Sequence, residues 1–236
     1  ARAIGKSFLG ITALDNVDFT LRAGEVHALL GENGAGKSTL IKILTGVYTR
    51  DKGTVRLDGD EISPADVGEA QALGIGTVYQ EVNLLENLTV AENLFLGRQP
   101  RRFGLIDKRT MRDEAQKLLG RYGLTIDVNA LLSSYSVAIR QIIAIARAVD
   151  LSGKVLVLDE PTASLDAHEV EMLFTVLRQL RAEGLGIVII THFLNQVYDI
   201  ADRVTVLRNG KLVGTRTISE LPRGELISMM LGRELQ

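Results

Sequence analysis

A short glycine-rich segment at residues 31–39, GENGAGKST, has the residue types and spacing of a phosphate-binding loop. It follows an apolar run at residues 26–30 and leads into another at residues 40–44. The pattern G-x-x-x-x-G-K-[ST] lets backbone N–H groups surround phosphates without Cβ obstruction, while the lysine reaches the β/γ-phosphates and the next hydroxyl faces Mg²⁺. The start of a helix adds partial positive charge at the same place. The sequence therefore predicts a nucleotide site formed by Gly31, Glu32, Asn33, Gly34, Ala35, Gly36, Lys37, Ser38 and Thr39.

Two carboxylates follow another apolar run, VLVL at residues 155–158. An unbroken hydrophobic run is typical of a buried parallel strand, and ligands of open α/β sheets gather at the carboxyl ends of such strands. Asp159 is then placed to hold Mg²⁺, directly or through water, and Glu160 to orient or deprotonate an attacking water. The alternative is a strand that simply ends in solvated acids, and the phosphate loop makes it the weaker interpretation.

Polar residues at two further strand ends are candidates for the same site. His192 follows GIVIIT at residues 186–191, and Gln80 follows IGTVY at residues 75–79. A lone histidine in such a place is usually packed or capped, but this one ends a core strand from which it could reach a γ-phosphate. We interpret His27, inside a buried strand, and His168, in the first turn of a helix, as structural.

Strand and helix patterns alternate along the chain. Residues 3–30 are predicted to form strands, with alternation at residues 17–21 and a buried run at residues 26–30. Caps at Asp107 and Ser136 precede helical faces within residues 81–151, and a further helix is predicted from a capping box at Asp166 and Glu169 to Gly184. The other predicted strands are residues 54–57, 75–79, 154–158, 186–191, 203–208 and 211–217, with turns at Asp58-Gly59 and Asn209-Gly210.

This order of elements predicts an α/β fold with a mostly parallel core sheet, an antiparallel β subdomain and an inserted α-helical subdomain. We expect one nucleotide-binding domain over residues 1–236. Its core should comprise residues 1–80 and 152–236, and the helical subdomain about residues 81–151.

Composition narrows the function classes. The 236 residues include 27 Lys and Arg against 29 Asp and Glu, so no basic excess is present to neutralise a nucleic-acid backbone, and we expect no nucleic-acid partner. Without cysteine, the chain has neither disulfides nor a thiolate metal site, which suits a reducing compartment. The longest uncharged apolar stretch, around residues 185–191, is far shorter than the roughly 20 residues of a membrane span.

Taken together, these motifs resemble those of the ATP-binding subunits of ABC transporters. GENGAGKST, the glutamine of TVYQE, LVLDEPTASLD and the histidine of IITHF come in that family's order and approximate spacing, over essentially the whole chain. EVNLLENLTVAENLFLGR and MMLGREL are similar to the first half of the tandem ATP-binding subunit of bacterial monosaccharide importers. RRFGLIDKRTM and the run YSVAIRQIIAIARAVDLSGKVLVLDEPTASLD are most similar to subunits that serve galactofuranose import.

The resemblance implies roles for individual residues. Gln80 would sense Mg²⁺ and the membrane partner, and His192 would contact the γ-phosphate. Asp166 would lie in the loop that links two ATP sites, and Phe8 would stack on adenine. ATP and Mg²⁺ are the implied ligands, with the metal held by Ser38, Gln80 and Asp159 and with Glu160, His192 and Gln80 as the catalytic set.

One segment departs from the family pattern. The signature LSGGQ aligns with residues 135–139, YSVAI, where Ser136 remains but both glycines and the glutamine are replaced. In the family this loop brings N–H groups close to the γ-phosphate held by the opposite domain, and Cβ atoms at Val137 and Ala138 are expected to hinder that approach.

The implied partners are transmembrane permease subunits, a second ATP-binding domain fused after Gln236 and, indirectly, a periplasmic sugar-binding protein. The implied location is the cytoplasmic face of the inner membrane, as a peripheral subunit. We expect the segment after Gln80, with Leu84, Leu85, Leu88 and Val82, to form part of a groove for a cytoplasmic helix of the permease. The alternative is that these residues pack within the helical subdomain.

The sequence predicts an ATPase that energises monosaccharide uptake, with galactofuranose as the expected sugar. Other readings stay open: another sugar, an exporter, a cytosolic ABC ATPase that acts on DNA or ribosomes, or a nucleotide-binding switch without turnover. The presence of both Glu160 and His192 disfavours the last of these.

Overall fold

The computed structural model describes residues 1–79 and 84–232. The strands are β1 Arg2–Phe8, β2 Ile11–Val17, β3 Val26–Leu30, β4 Lys52–Leu57, β5 Asp60–Ile62, β6 Ile75–Val78, β7 Arg101–Arg102, β8 Leu105–Ile106, β9 Val155–Asp159, β10 Gly186–Ile190, β11 Arg203–Arg208 and β12 Lys211–Thr217. The helices are α1 Lys37–Leu44, α2 Val67–Leu73, α3 Val90–Leu94, α4 Lys108–Gly120, α5 Val137–Leu151, α6 Ala167–Ala182, α7 Leu194–Ile200 and α8 Arg223–Leu231.

A six-stranded sheet in the order β12-β11-β3-β10-β9-β6 positions the predicted site. Every neighbouring pair from β11 to β6 is parallel, and β12 joins antiparallel to β11 across the Asn209-Gly210 turn. The carboxyl ends of β3, β10 and β9 therefore lie side by side, although residues 31 and 159 are far apart in sequence. The mostly parallel core sheet predicted from the sequence is confirmed.

A separate antiparallel sheet, ordered β2-β1-β4-β5, forms a second layer. Its β4–β5 hairpin turns at Asp58-Gly59, as predicted. Alternate residues of the central strands point to opposite faces of the parallel sheet. Ile187 and Ile189 pack toward the side that holds α3 to α6, whereas Val188 and Ile190 pack toward α1 and the antiparallel sheet.

Several predicted element ends are confirmed by side-chain caps. Asp107 accepts a hydrogen bond from the Thr110 N–H, Ser136 from the Ile139 N–H and Asp166 from the Glu169 N–H. The division into a core and a helical subdomain stays a prediction.

Two expectations about local structure are wrong. Residues 17–21 were expected to continue a strand, but β2 ends at Val17, because Phe19 turns into the core between the two sheets while the chain crosses to β3. The helical pattern of residues 81–151 also contains the short β7–β8 hairpin, which is too brief to show an alternating pattern.

His27 is structural in its contacts, as interpreted from the sequence. It is fully buried in β3, where its Nε2 lies 2.6 Å from Thr205 Oγ1 on β11 and its Nδ1 lies 3.3 Å from Glu25 Oε1. Burial would raise the pKa of Glu25, but hydrogen bonds from Arg203, His27 and the Arg22 N–H outweigh it and hold that pKa at about 2. Within the described part of the chain, no helix is both long and apolar enough to span a membrane.

Candidate nucleotide-binding site

The loop between β3 and α1 has a backbone that depends on glycine. Gly31 and Gly36 have φ angles of 154° and 105°. A Cβ at Gly31 would lie 2.3 Å from the Leu207 carbonyl oxygen, and one at Gly36 would lie 2.7 Å from Leu14 Cδ2. The two positions therefore exclude side chains for reasons of space as well as conformation.

Lys37 lies inside the curve of this loop. Its Nζ donates hydrogen bonds to the carbonyl oxygens of Gly31 at 2.6 Å and Glu32 at 3.0 Å. Burial lowers the pKa of Lys37, while the carboxylates of Glu160 and Asp159 oppose that shift. The ammonium group thus lies among backbone oxygens and within electrostatic reach of both predicted carboxylates.

The two carboxylates lie at the carboxyl end of β9. Asp159 is the register partner of Ile190 on β10, and the Glu160 N–H donates to the Ile190 carbonyl oxygen at 2.9 Å. Glu160 has a φ angle of 48°, a conformation that is rare for residues other than glycine and is enriched at functional sites. Burial and the charge of Glu160 raise the pKa of Asp159, while Lys37 and Lys42 oppose the shift.

His192 and Glu160 are in direct contact across β9 and β10. The Nδ1 atom of His192 lies 3.1 Å from each carboxylate oxygen of Glu160, with hydrogen-bond geometry toward Oε1. Glu160 Oε2 is buried and makes no hydrogen bond with the described residues. The imidazole itself is exposed. This arrangement orients the carboxylate through Oε1 and leaves the buried Oε2 without a hydrogen-bond donor among the described residues.

Phe8 ends β1 and remains 38% exposed. Its ring packs edge-on against Tyr48, with centroids 5.1 Å apart, and the Nζ of Lys6 lies 5.3 Å from the Phe8 centroid. Tyr48 follows α1, so the aromatic pair joins the antiparallel sheet to the helix that begins in the phosphate loop. Sequence analysis identified Phe8 but missed Tyr48.

The signature-like segment forms the start of α5. Ser136 Oγ accepts a hydrogen bond from the Ile139 N–H, Ala138 is fully buried and Val137 is 41% exposed. Both Cβ atoms were expected to hinder a ligand that approaches this turn, but only that of Val137 faces outward. Asp166 caps α6 in a capping box with Glu169. Its predicted role in a loop between two sites remains a prediction.

Sequence analysis also missed the backbone hydrogen bonds that Gly210 makes to the phosphate loop and to Asp15. The Gly210 N–H donates to the Ala35 carbonyl oxygen at 3.0 Å, and the Asp15 N–H donates to the Gly210 carbonyl oxygen at 2.8 Å. Gly210 could be recognised as a turn residue, but no local signal placed it against a loop so distant in sequence.

The predicted metal ligands are only partly described. Ser38 lies in the first turn of α1 and Asp159 at the end of β9, whereas Gln80 lies outside the described residues. The described ranges contain no cluster of three or more His, Cys, Asp and Glu side chains that could hold a metal. A Mg²⁺ site that uses one hydroxyl and one carboxylate is not of that type.

Comparison with known proteins shows which family this chain resembles. The chain matches the ABC transporter family over residues 14–163. It is 61% identical to the galactofuranose transporter ATP-binding protein YtfR of Escherichia coli K12, a match that covers 98% of this chain and 46% of that protein. It is 52% identical to the ribose import ATP-binding protein RbsA 1 of Rubrobacter xylanophilus, covering 100% of this chain and 47% of that protein. The chain therefore spans about half the length of the curated relatives it matches.

Solved structures agree with the sequence match. An ATP-binding cassette of an ABC transporter in its ADP conformation is similar with a TM-score of 0.85 and 27% identity, covering 98% of this chain and 97% of that one. A nucleotide-free ATP-binding cassette gives a TM-score of 0.81 and 26% identity, with coverage of 98% and 94%. Because the matched region contains both the phosphate loop and the carboxylates of β9, and the whole fold is that of solved cassettes, the chain belongs to the ABC transporter family.

Proposed function

We propose that this chain is the ATP-binding and ATP-hydrolysing half of an importer subunit that energises monosaccharide uptake. The observation that carries the proposal is the meeting of Lys37, the two carboxylates of β9 and His192 at the carboxyl end of one parallel sheet. This arrangement combines an anion-binding loop with a carboxylate that can act on water.

The loop fits the phosphates of ATP. The N-cap of α1 is Gly36, which supplies no side-chain hydrogen bond, so the amides of the first turn are available to a ligand. Lys37 is held by carbonyl oxygens, which are neutral acceptors that β/γ-phosphate oxygens would outcompete. We therefore expect phosphate oxygens to replace these carbonyl oxygens as the acceptors of the Lys37 ammonium group when ATP binds.

Asp159 and Ser38 suit a hard cation such as Mg²⁺, and Gln80 is the third proposed ligand. Oxygen atoms are the donors that Mg²⁺ prefers. The half-buried Asp159 carboxylate, whose pKa burial raises, would be stabilised as an anion by a cation beside it. When bound, Mg²⁺ would supply charge neutralisation to the phosphates.

Glu160 is proposed as the general base. Its Oε2, which makes no hydrogen bond with the described residues, is proposed to take a proton from the attacking water, while His192 orients the carboxylate through Oε1. The exposed imidazole of His192 is also proposed to contact the γ-phosphate. Phe8, beside Tyr48, is proposed to stack on adenine.

The proposed partners are permease subunits in the membrane, a periplasmic sugar-binding protein that acts through them, and a second ATP-binding domain after Gln236. The second domain is supported by the length of the relatives, since this chain matches about half of each. Galactofuranose is the proposed sugar because the relative named for it is 61% identical, whereas the ribose import protein is 52% identical. We propose a peripheral location at the cytoplasmic face of the inner membrane.

Of the segment proposed to form the permease groove, the structure describes Leu84, Leu85 and Leu88. Leu85 is exposed, and its N–H and carbonyl oxygen both bond to the Asn93 side chain, at 2.7 Å and 2.9 Å. Leu84 packs against the core and Leu88 is half-buried, while Val82 lies outside the described residues. Leu85 is therefore the position at which a charge would disturb a partner without disturbing the core.

The proposal is tested by reconstituting the full-length subunit with its permease and binding protein in vesicles. ATP-dependent uptake and phosphate release should rise with galactofuranose and not with ribose. Leu85→Glu should lower uptake while ATP binding persists. ATP hydrolysis without any sugar dependence would contradict the importer assignment.

A further inference from the structure

The β7–β8 hairpin turns through Phe103-Gly104, with φ angles of 52° and 82°. Positive φ at both central residues defines the tight hairpin turn that favours Asn-Gly and Asp-Gly. The same chain uses those pairs elsewhere, at Asn209-Gly210 with 51° and 73° and at Asp58-Gly59 with 53° and 90°. A bulky residue with positive φ is strained, so Phe103 is a poor choice for the turn itself.

Packing against the rest of the chain does not explain why Phe103 occupies this turn. Phe103 is 94% exposed and Leu105 is 76% exposed. The Arg102 guanidinium lies 5.4 Å from the Phe103 centroid, which leaves most of the ring in solvent. An apolar tip that neither fits its turn nor reaches the core is a candidate for a contact outside this chain. Because Leu9-Gly10 is a turn of the same kind with an exposed apolar residue, the charge around the Phe103 tip has to distinguish the two.

The charge around the tip of the β7–β8 hairpin is mostly positive. Arg101 and Arg102 lie on β7 and Lys108 and Arg109 follow β8, all four of them exposed. Among the described residues, none of these cations lies within salt-bridge distance of a carboxylate. No Asp or Glu occurs at residues 93–106, and Asp107 caps α4, where hydrogen bonds from Thr110 and the charge of Arg102 lower its pKa. Four cations against this one carboxylate leave the patch positive on a chain whose net charge is −2.

We propose that this hairpin contacts the surface of an anionic phospholipid bilayer directly, with Phe103 and Leu105 entering the interface and the four cations at the headgroups. Exposed apolar side chains combined with Lys and Arg are the features by which peripheral segments bind anionic membranes. A permease loop is less suitable, because cytoplasmic loops of membrane proteins carry an excess of Lys and Arg that would repel this patch. The inference goes beyond the proposed function, since lipid contact requires neither nucleotide nor sugar.

The test measures co-sedimentation of the natural full-length polypeptide with vesicles of phosphatidylglycerol and phosphatidylcholine, without nucleotide. Phe103→Asn should weaken binding about tenfold, because an aromatic group is lost from the interface. Since Asn-Gly suits the turn, this variant should fold at least as well as the parent, which separates lipid contact from a structural role. Arg101→Gln with Arg102→Gln should weaken binding by a similar factor, and vesicles of phosphatidylcholine alone should bind poorly.

Leu9→Asn is the matched control. Leu9-Gly10 forms the same kind of turn, with φ angles of 48° and 83°, and Leu9 is fully exposed, but no arginine flanks it in sequence. Vesicle binding should be unchanged in that variant. Equal binding by the parent and Phe103→Asn, or equal binding to neutral vesicles, would overturn the proposal. If Phe103→Asn instead weakened assembly with the permease in detergent and left vesicle binding intact, the hairpin would be a protein contact. Neither result bears on ATP hydrolysis, which is assayed separately.

Discussion

Two helix N-termini in this chain treat their backbone amides in opposite ways. At α1 the N-cap is Gly36, which has a φ angle of 105° and makes no side-chain hydrogen bond to the helix. At α5 the N-cap is Ser136, whose Oγ accepts from the Ile139 N–H. The first helix therefore keeps its amides available for an anion, and the second satisfies one of them internally.

The first residues of α1 and α5 also differ in charge. Lys37 brings a positive charge into the first turn of α1, whereas the equivalent turn of α5 begins with the apolar Val137. The comparison shows that the helix whose amides face the proposed ligand, α1, lacks the side-chain cap that stabilises the start of α5. We therefore expect α5 to serve a neighbouring nucleotide only weakly, because the Ile139 amide is already used and the exposed Val137 side chain lies at the start of the helix.

The largest effects should come from the charged groups at the α1 end. We expect Lys37→Ala to remove most ATP affinity, because the phosphates lose their buried cation. Glu160→Gln should leave binding nearly intact and lower turnover about 10²–10⁴-fold, because it removes the base. Nucleotide binding and phosphate release, measured with the partner domain present, separate the two. Hydrolysis at the parental rate in Glu160→Gln would exclude Glu160 as the base.

Glycine substitutions test the loop geometry. Gly36→Ala should lower the free energy of unfolding by about 3 kcal/mol, from left-handed strain plus steric conflict. The added Cβ would meet Leu14 Cδ2 at 2.7 Å and the Ala13 carbonyl oxygen at 3.0 Å. Gly34→Ala is the matched control: φ is 80° and nothing lies within 4 Å of the added Cβ, so only about 1 kcal/mol is expected. Denaturant unfolding of both variants gives the comparison, and equal losses would show that space at Gly36 is unimportant.

At the start of α5 we expect a smaller effect, a gain in ATPase activity from one of two glycine substitutions. At concentrations that allow self-association, Val137→Gly should raise ATPase activity of the 236-residue chain severalfold, because it removes the exposed Cβ from the approach to the first amides. Ala138→Gly should give no gain, since its side chain is already buried. If both variants stay at the parental rate, slow turnover comes from the chain remaining monomeric. Parental activity that is already high and linear in enzyme concentration would contradict the expectation that each nucleotide site needs the signature segment of an opposite domain.

The smallest effect concerns the cap itself. Ser136→Ala should lower the free energy of unfolding by about 1 kcal/mol, because the Ile139 N–H loses its acceptor. ATP affinity at the phosphate loop should not change. Ser136→Thr keeps a hydroxyl acceptor and should recover most of the stability in thermal unfolding. A loss of ATP affinity in Ser136→Ala would mean that the two helix ends are coupled within one chain.

Much of the fold could be predicted because its signals are local. The capping residues Asp107 and Asp166 and the turn Asn209-Gly210 depend on neighbours within a few positions, and the structure confirms all three. The prediction of a strand at residues 17–21 was wrong, because an alternating pattern also arises in a connecting segment whose Phe19 side chain enters the core. The Phe103-Gly104 hairpin was missed because its turn contradicts ordinary turn preferences.

The sequence by itself determined the phosphate loop, the carboxylates after β9 and the family, because each depends on residue types at fixed short spacing. Only the tertiary structure decided that β10 lies between β3 and β9, which places His192 against Glu160, and that Glu160 lies within electrostatic reach of Lys37. It also decided that Gly210 supports the phosphate loop and that Ala138 faces inward. These contacts join residues far apart in the chain, and local patterns carry no information about which strands become neighbours or which side of a helix start is covered.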